Sequence, residues 1–185
     1  VSDERYVLDL GGVRFDTLAD TPAFPPALAH LPSREGHDLH LVQFQGPIKD
    51  AQIDSITHHG LEIVQYIHPW SYVVWSTPDA VGRMRNESSV RCTIPFAPAC
   101  RLLPLHRSHA ASSLEVRLLV VRAADPSVVV RRLHELGVTG INRRVVDSTF
   151  EVFSCSFAGD RLAELASVPG VYTVQPTPVD GGTRA

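Results

Sequence analysis

Nine histidines, three cysteines and a full set of Ser and Asp are the side chains of this 185-residue sequence that could do chemistry. Their spacing supports little of it. A nucleophilic serine would need a strand–turn–helix elbow such as Gly-x-Ser-x-Gly. Phosphate chemistry would need a glycine-rich loop, and a zinc protease would need His-Glu-x-x-His; none of these occurs. His58 and His59 are adjacent, so on a helix they point about 100° apart and do not converge on one ion. His37 with His40, and His106 with His109, are better spaced but lie in or beside Pro-rich connections, and no Cys-x-x-Cys accompanies them. The reading is therefore a chain with no catalytic residues, no metal and no cofactor. Cys92 and Cys100 flank a short stretch containing Pro95 and Pro98. In an oxidising compartment they could close a loop contributing about 2–3 kcal/mol. Cys155, between Phe153 and Phe157, reads as a small buried hydrophobe.

Composition narrows the class further. Hydrophobic residues make up 44% and charged residues 20%, as in an ordinary globular chain, and no run approaches the roughly 20 apolar residues of a membrane span. Net charge is −3, which argues against a broad nucleic-acid footprint. No membrane or nucleic-acid partner is expected.

The elements that must position these residues occur twice. Residues 1–37 are an irregular lead-in studded with Pro22, Pro25, Pro26 and Pro32, with short extended pieces at Tyr6–Leu10 and Val13–Phe15. The first unit, 38–105, runs strand (Leu39–Phe44), helix (Ile48–His59, stopped by Gly60), two strands (Leu61–Ile67, Trp70–Ser76), helix from Thr77-Pro78, and strand (Val90–Phe96). The second, 113–175, repeats the order: strand Leu114–Arg122, a helix capped by Asp125-Pro126 and stopped by Gly137, strands Val138–Val146 and Thr149–Cys155, a helix from Gly159-Asp160, and strand Val171–Gln175. Gly60 and Gly137 lie 77 positions apart. The fold class is α+β, two tandem ferredoxin-like βαββαβ units with antiparallel sheets.

Such a sheet has helices on one face, so its strands should alternate apolar and polar. Several do not. Trp70, Tyr72 and Val74 oppose Val73 and Trp75, and Phe150 and Val152 oppose Phe153 and Cys155. Either the two units cover each other, or a second face is a docking surface for another protein. The last residues, 176–185, hold two prolines and two glycines and suit an extended strap of about 33 Å.

The runs Leu41-Val42-Gln43-Phe44-Gln45-Gly46-Pro47-Ile48, Gly60-Leu61-Glu62-Ile63-Val64-Gln65-Tyr66-Ile67 and Tyr72-Val73-Val74 resemble the N-terminal propeptide of secreted bacterial subtilisin-like serine proteases. Leu10-Gly11-Gly12-Val13-Arg14-Phe15-Asp16-Thr17 resembles what precedes that run in long-propeptide members. Leu136-Gly137-Val138 and Val168-Pro169-Gly170-Val171 carry the second unit's weaker match. The resemblance implies a secreted, non-catalytic intramolecular chaperone and inhibitor whose partner is a cognate subtilisin-like catalytic domain. It further implies that the strap Asp180, Gly181, Gly182, Thr183, Arg184 and Ala185 enters the protease cleft as an added strand, Ala185 preceding the processed bond. The open sheet would dock through Phe150 and Val152, with Asp147 and Glu151 set against helix N-termini of the partner. The rival expectation is a small-ligand or regulatory protein-binding module, since ferredoxin-like pairs commonly serve as such.

Overall fold

A computed structural model describes residues 3–19, 22–29, 36–107 and 109–177. Both units form as their periodicity predicts. In the first, β3 (Asp38–Phe44), α2 (Asp50–His58), β4 (Glu62–Ile67), β5 (Ser71–Ser76), α3 (Pro78–Met84) and β6 (Val90–Pro95) give an antiparallel sheet of order β4-β5-β3-β6. In the second, β7 (Ser113–Val121), α5 (Pro126–Glu135), β8 (Thr139–Val145), β9 (Phe150–Ala158), α6 (Leu162–Ala166) and β10 (Val171–Pro176) give β8-β9-β7-β10. Each sheet thus places its unit's second, third, first and fourth strands side by side, the ferredoxin-like order.

The helix stops that mark the repeat are the same device twice. Gly60 and Gly137 adopt φ of 78° and 88°. After them the N–H groups of Leu61 and Val138 reach back to the carbonyls of Ile56 and Leu133, and both side chains are buried. That is a left-handed glycine cap closed by an apolar contact. Thr77 and Asp125 cap α3 and α5 at the other end, accepting from the N–H groups of Ala80 and Ser127.

The lead-in is more regular than its prolines suggest. β1 (Val7–Leu10) and β2 (Val13–Asp16) form a hairpin turned by Gly11-Gly12, and α1 (Pro26–Ala29) follows. Leu8, Leu10, Phe15 and Leu28 are buried. Arg91 of β6 clips the hairpin down: its guanidinium donates to Asp16 (2.7 Å), Gln43 (2.9 Å) and Thr17 (2.9 Å) and lies 4.0 Å from the Tyr6 ring centroid. Burial raises the Asp16 pKa, but the N–H groups of Asp3 and Leu18 together with Arg91 outweigh it and hold the carboxyl below its usual value. Cys92 and Cys100 are free buried thiols and do not bridge. Cys92 contacts the Thr17 hydroxyl beside β3, whereas Cys100 sits in α4 (Pro98–Arg101), which packs against α1, α6 and β10.

Two cores result. On the helix side of the first sheet, Val42, Phe44 and Val74 meet Ile56, Val81 and Met84. On its other side Leu39, Leu41, Val73 and Trp75 join the hairpin, α1, α4 and the apolar residues of the second unit in one continuous cluster. The doubled apolarity of β5 is therefore satisfied within the chain and marks no docking surface in the first unit.

Arg101 holds the junction. Its side chain has no exposed surface, so each donor must find an acceptor inside. They are Phe96 O (2.7 and 3.0 Å), Asp38 Oδ1 (3.0 Å) and, from the second unit, Val168 O (3.4 Å) and Val171 O (3.3 Å). Arg101→Met is expected to cost about 3–5 kcal/mol, because it strands the Asp38 carboxylate in the interior. Urea unfolding of wild type and variant measures it.

His40 is also buried, and its Nε2 has no partner. Burial pulls the ring down from 6.5 to about 4, Asp38 opposing and Arg101 adding to the shift. Between these values only the unfolded chain takes up the proton. Stability is then complete above pH 6.5, falls as the pH drops and levels off below about 4. The loss at pH 5 relative to pH 7 should be about 2 kcal/mol from this group. His40→Leu is expected to remove that part of the pH dependence in denaturant titrations.

Candidate functional site

In the second unit the helix-side face of the sheet is the apolar one and the outer face is mixed. Leu114, Val116, Leu118 and Val120 of β7 lie opposite Phe157, Cys155, Phe153 and Glu151 of β9, the helix-side face. The remaining residues form two cross-strand rows on the outer face. One reads Gln175, Arg117, Ser154, Asn142 across β10, β7, β9 and β8. The next reads Thr173, Leu119, Val152, Arg144. These eight residues line a groove of about 460 Å³.

Its chemistry is that of a shallow cationic surface with a small apolar floor. Leu119 and Val152 are half-buried, while Arg117, Asn142, Arg144 and Gln175 are exposed. Neither Arg117 nor Arg144 has a hydrogen-bond or ion-pair partner, and no carboxylate stands in either row. The nearest acid on the same face, Glu115, accepts from the Ser156 hydroxyl one step along the sheet.

The expected site residues fall into different places. Val152 is on the outer face. Phe150 shares that face but is buried at its end, its ring 5.3 Å from that of Tyr172, which in turn stacks on Phe96. Glu151 is turned to the helix side, buried, and accepts from Arg143 Nε at 2.7 Å. Asp147 closes its own turn, accepting from the N–H groups of Thr149 (2.7 Å) and Phe150 (2.8 Å). Both carboxylates are thus engaged within the chain, and the uncovered face carries the opposite charge. Asp180, Gly181, Gly182, Thr183, Arg184 and Ala185 lie outside the described residues. Sequence reasoning passed over Arg117 and Arg144. The available signal was the polar residues two positions apart in β7 and β8, Glu115/Arg117 and Asn142/Arg144.

Among the described residues no Ser, Thr or Cys hydrogen-bonds a His, and no three His, Cys, Asp or Glu side chains gather to hold a metal ion. Cys100 and Cys155 are pushed up to about 11 by burial, the reverse of what a nucleophilic thiol requires. The arrangement can bind; it offers no assembled nucleophile and base.

Residues 9–97 match the family model of a domain of unknown function, DUF8729. The match begins within β1 of the hairpin, takes in the strands and helices of the first unit and stops before the second. No curated protein matches the sequence. Among solved structures, one described as "putative glycine cleavage system transcriptional repressor" aligns over 66% of this chain and 79% of its own, with 10% identity and a TM-score of 0.21.

The division between the two faces of β9 is measurable. Phe153→Ala, on the helix side, should lose about 3–5 kcal/mol of stability, whereas Val152→Thr on the outer face should lose less than about 1 kcal/mol. Denaturant midpoints of the two variants test the assignment.

Proposed function

We propose that the chain is the pro-region of a subtilisin-like serine protease, a non-catalytic module that docks by the outer face of the second sheet and inhibits by its C-terminal strap. The observation that carries this reading is an adjacency. Among the described residues the outer face of the second sheet is left uncovered, and it borders β10, the strand after which the sequence continues into the Pro- and Gly-containing residues 176–185. After β10 the backbone is still held to the sheet, Thr177 N–H donating to Glu115 O at 2.7 Å. A partner seated on the outer face would therefore receive the following residues at a fixed starting point. The sequence resemblance of the β3, β4 and β5 runs to subtilisin-like propeptides supports the same conclusion.

The physics of such an arrangement is that of two linked contacts. A short peptide left by cleavage binds its cleft weakly, but docking of the domain makes rebinding intramolecular and raises its effective concentration to the millimolar range. A standard protease–inhibitor contact covers about 800 Å² per partner, well within one four-stranded sheet and a strap. Because such a contact exists only with the folded protease, binding also stabilises the folded enzyme, the basis of a chaperone role. The reading carries a secreted setting with it. A small-ligand module, the rival, would want a concave, mostly enclosed site. The groove here instead runs across an exposed sheet, and six of the eight side chains in its two rows are polar.

The test is inhibition. Added to a panel of active subtilisin-like proteases, the full chain should slow peptide hydrolysis by at least one of them, and deletion of residues 180–185 should abolish that inhibition while leaving the fold intact by circular dichroism. Digestion of the chain by every member, without inhibition, would sink the reading.

A further inference from the structure

We infer that the outer face of the second sheet recognises an acidic surface on its protein partner, with Arg117 and Arg144 as the cationic contacts and Leu119 and Val152 as the apolar floor between them. The identity of the partner as a protease catalytic domain rests on the reading above; the chemistry of the contact does not. The ion pair of the same sheet, Arg143 with Glu151, is closed internally, yet these two guanidiniums, one row apart on β7 and β8, have nothing to neutralise them. A partner that covered them with neutral or basic groups would desolvate two unpaired charges, which is strongly unfavourable. One that presents carboxylates, or the carbonyl ends of helices, pairs them and gains steering from a distance.

The surroundings are built for such pairing. Asn142, Ser154, Thr173 and Gln175 flank the guanidiniums with neutral donors and acceptors, so a carboxylate seated on either arginine finds further hydrogen bonds. Glu115, at one end of the face, gives it a direction, since an acidic partner avoids that end. Nucleic acid is disfavoured. The two rows hold no aromatic ring on which a base could stack, and two cations on a chain of net charge −3 make a small phosphate footprint. The sign of the contact also differs from the sequence expectation, in which Asp147 and Glu151 met the positive ends of helices.

The double variant Arg117→Gln/Arg144→Gln tests it, with Arg131→Gln/Arg132→Gln on exposed α5 as a control of equal charge change. Thermal unfolding of both should match wild type, since none of the four side chains has a partner to lose. Against any protease the full chain inhibits, the first variant should bind about tenfold more weakly, the control should bind as wild type, and raising NaCl from about 50 to 500 mM should weaken wild type much more than the first variant. Equal inhibition by wild type and the first variant at both salt concentrations would overturn the inference while leaving the inhibitory role standing. If no protease is inhibited, poly-L-glutamate titrated into the isotope-labelled full chain provides an independent reading. Shifts confined to the two rows of β7–β10, and lost in the first variant only, would support the acidic-surface contact while the protease reading falls. Absence of those shifts, or their appearance with oligouridylate but not with polyglutamate, would overturn it.

Discussion

A guanidinium shut away from water must be surrounded by acceptors, and Arg101 draws its acceptors from both halves of the chain. Phe96 O and Asp38 come from the first unit, Val168 O from the loop after α6 and Val171 O from the first residue of β10. Neither unit alone completes that shell. With Arg101 at the end of α4, the short connecting helix is drawn against α6 and β10, and the apolar back of the first sheet becomes part of a common core. The two repeats are thereby made unequal. One has both faces of its sheet covered by its own chain, and the other has one face left over. A pair of like units joined by a loose linker would have kept two outer faces; the buried cation removes one of them.

This inequality could not be read from hydrophobic patterning. Trp75 and Val73 look the same in the sequence whether their neighbours are the hairpin and the second unit or a foreign protein. What decides between them is which residues far along the chain arrive opposite, and Leu8, Leu10 and Leu28 do so only because the hairpin is clipped to β3 and β6 by Arg91, 75 positions from Asp16. Local signals fared better. The glycine caps at Gly60 and Gly137, the Pro-led helix starts at Pro78 and Pro126, and the two extended pieces of the lead-in all depend on chemistry within a few residues. Each came out close to its expected place.

The candidate surface shows the same limit from the other side. Arg117 and Arg144 sit 27 positions apart and each, alone, is an ordinary solvated arginine. They come to the same face, two strands and one row apart with β9 between them, once Arg117 pairs with Ser154 and Arg144 with Val152. Conversely Asp147 and Glu151, which stand near each other in the sequence, are separated by the turn and the pleat: one folds back on its own N–H groups and the other enters the helix side to meet Arg143. A shift of one position along β9 would have exchanged Glu151 and Val152 between the faces, and with them the sign of the exposed charge.

The separation of roles between the faces has a consequence for how a docked partner would be released. Residues that hold the fold, such as Phe153, Leu118 and Arg101, are fully buried and face away from the outer rows. Residues available to a partner contribute little to stability because they touch little within the chain. Weakening the docked contact therefore need not loosen the module. Ion pairs at the border of a protein contact act mainly on the rate of encounter, and apolar burial acts mainly on the rate of escape. With two unpaired arginines and only Leu119 and Val152 beneath them, this face is weighted toward encounter. On the proposed pro-region reading, long residence would then have to come from a second contact made by the residues after β10, and a long-lived complex would need both contacts at once.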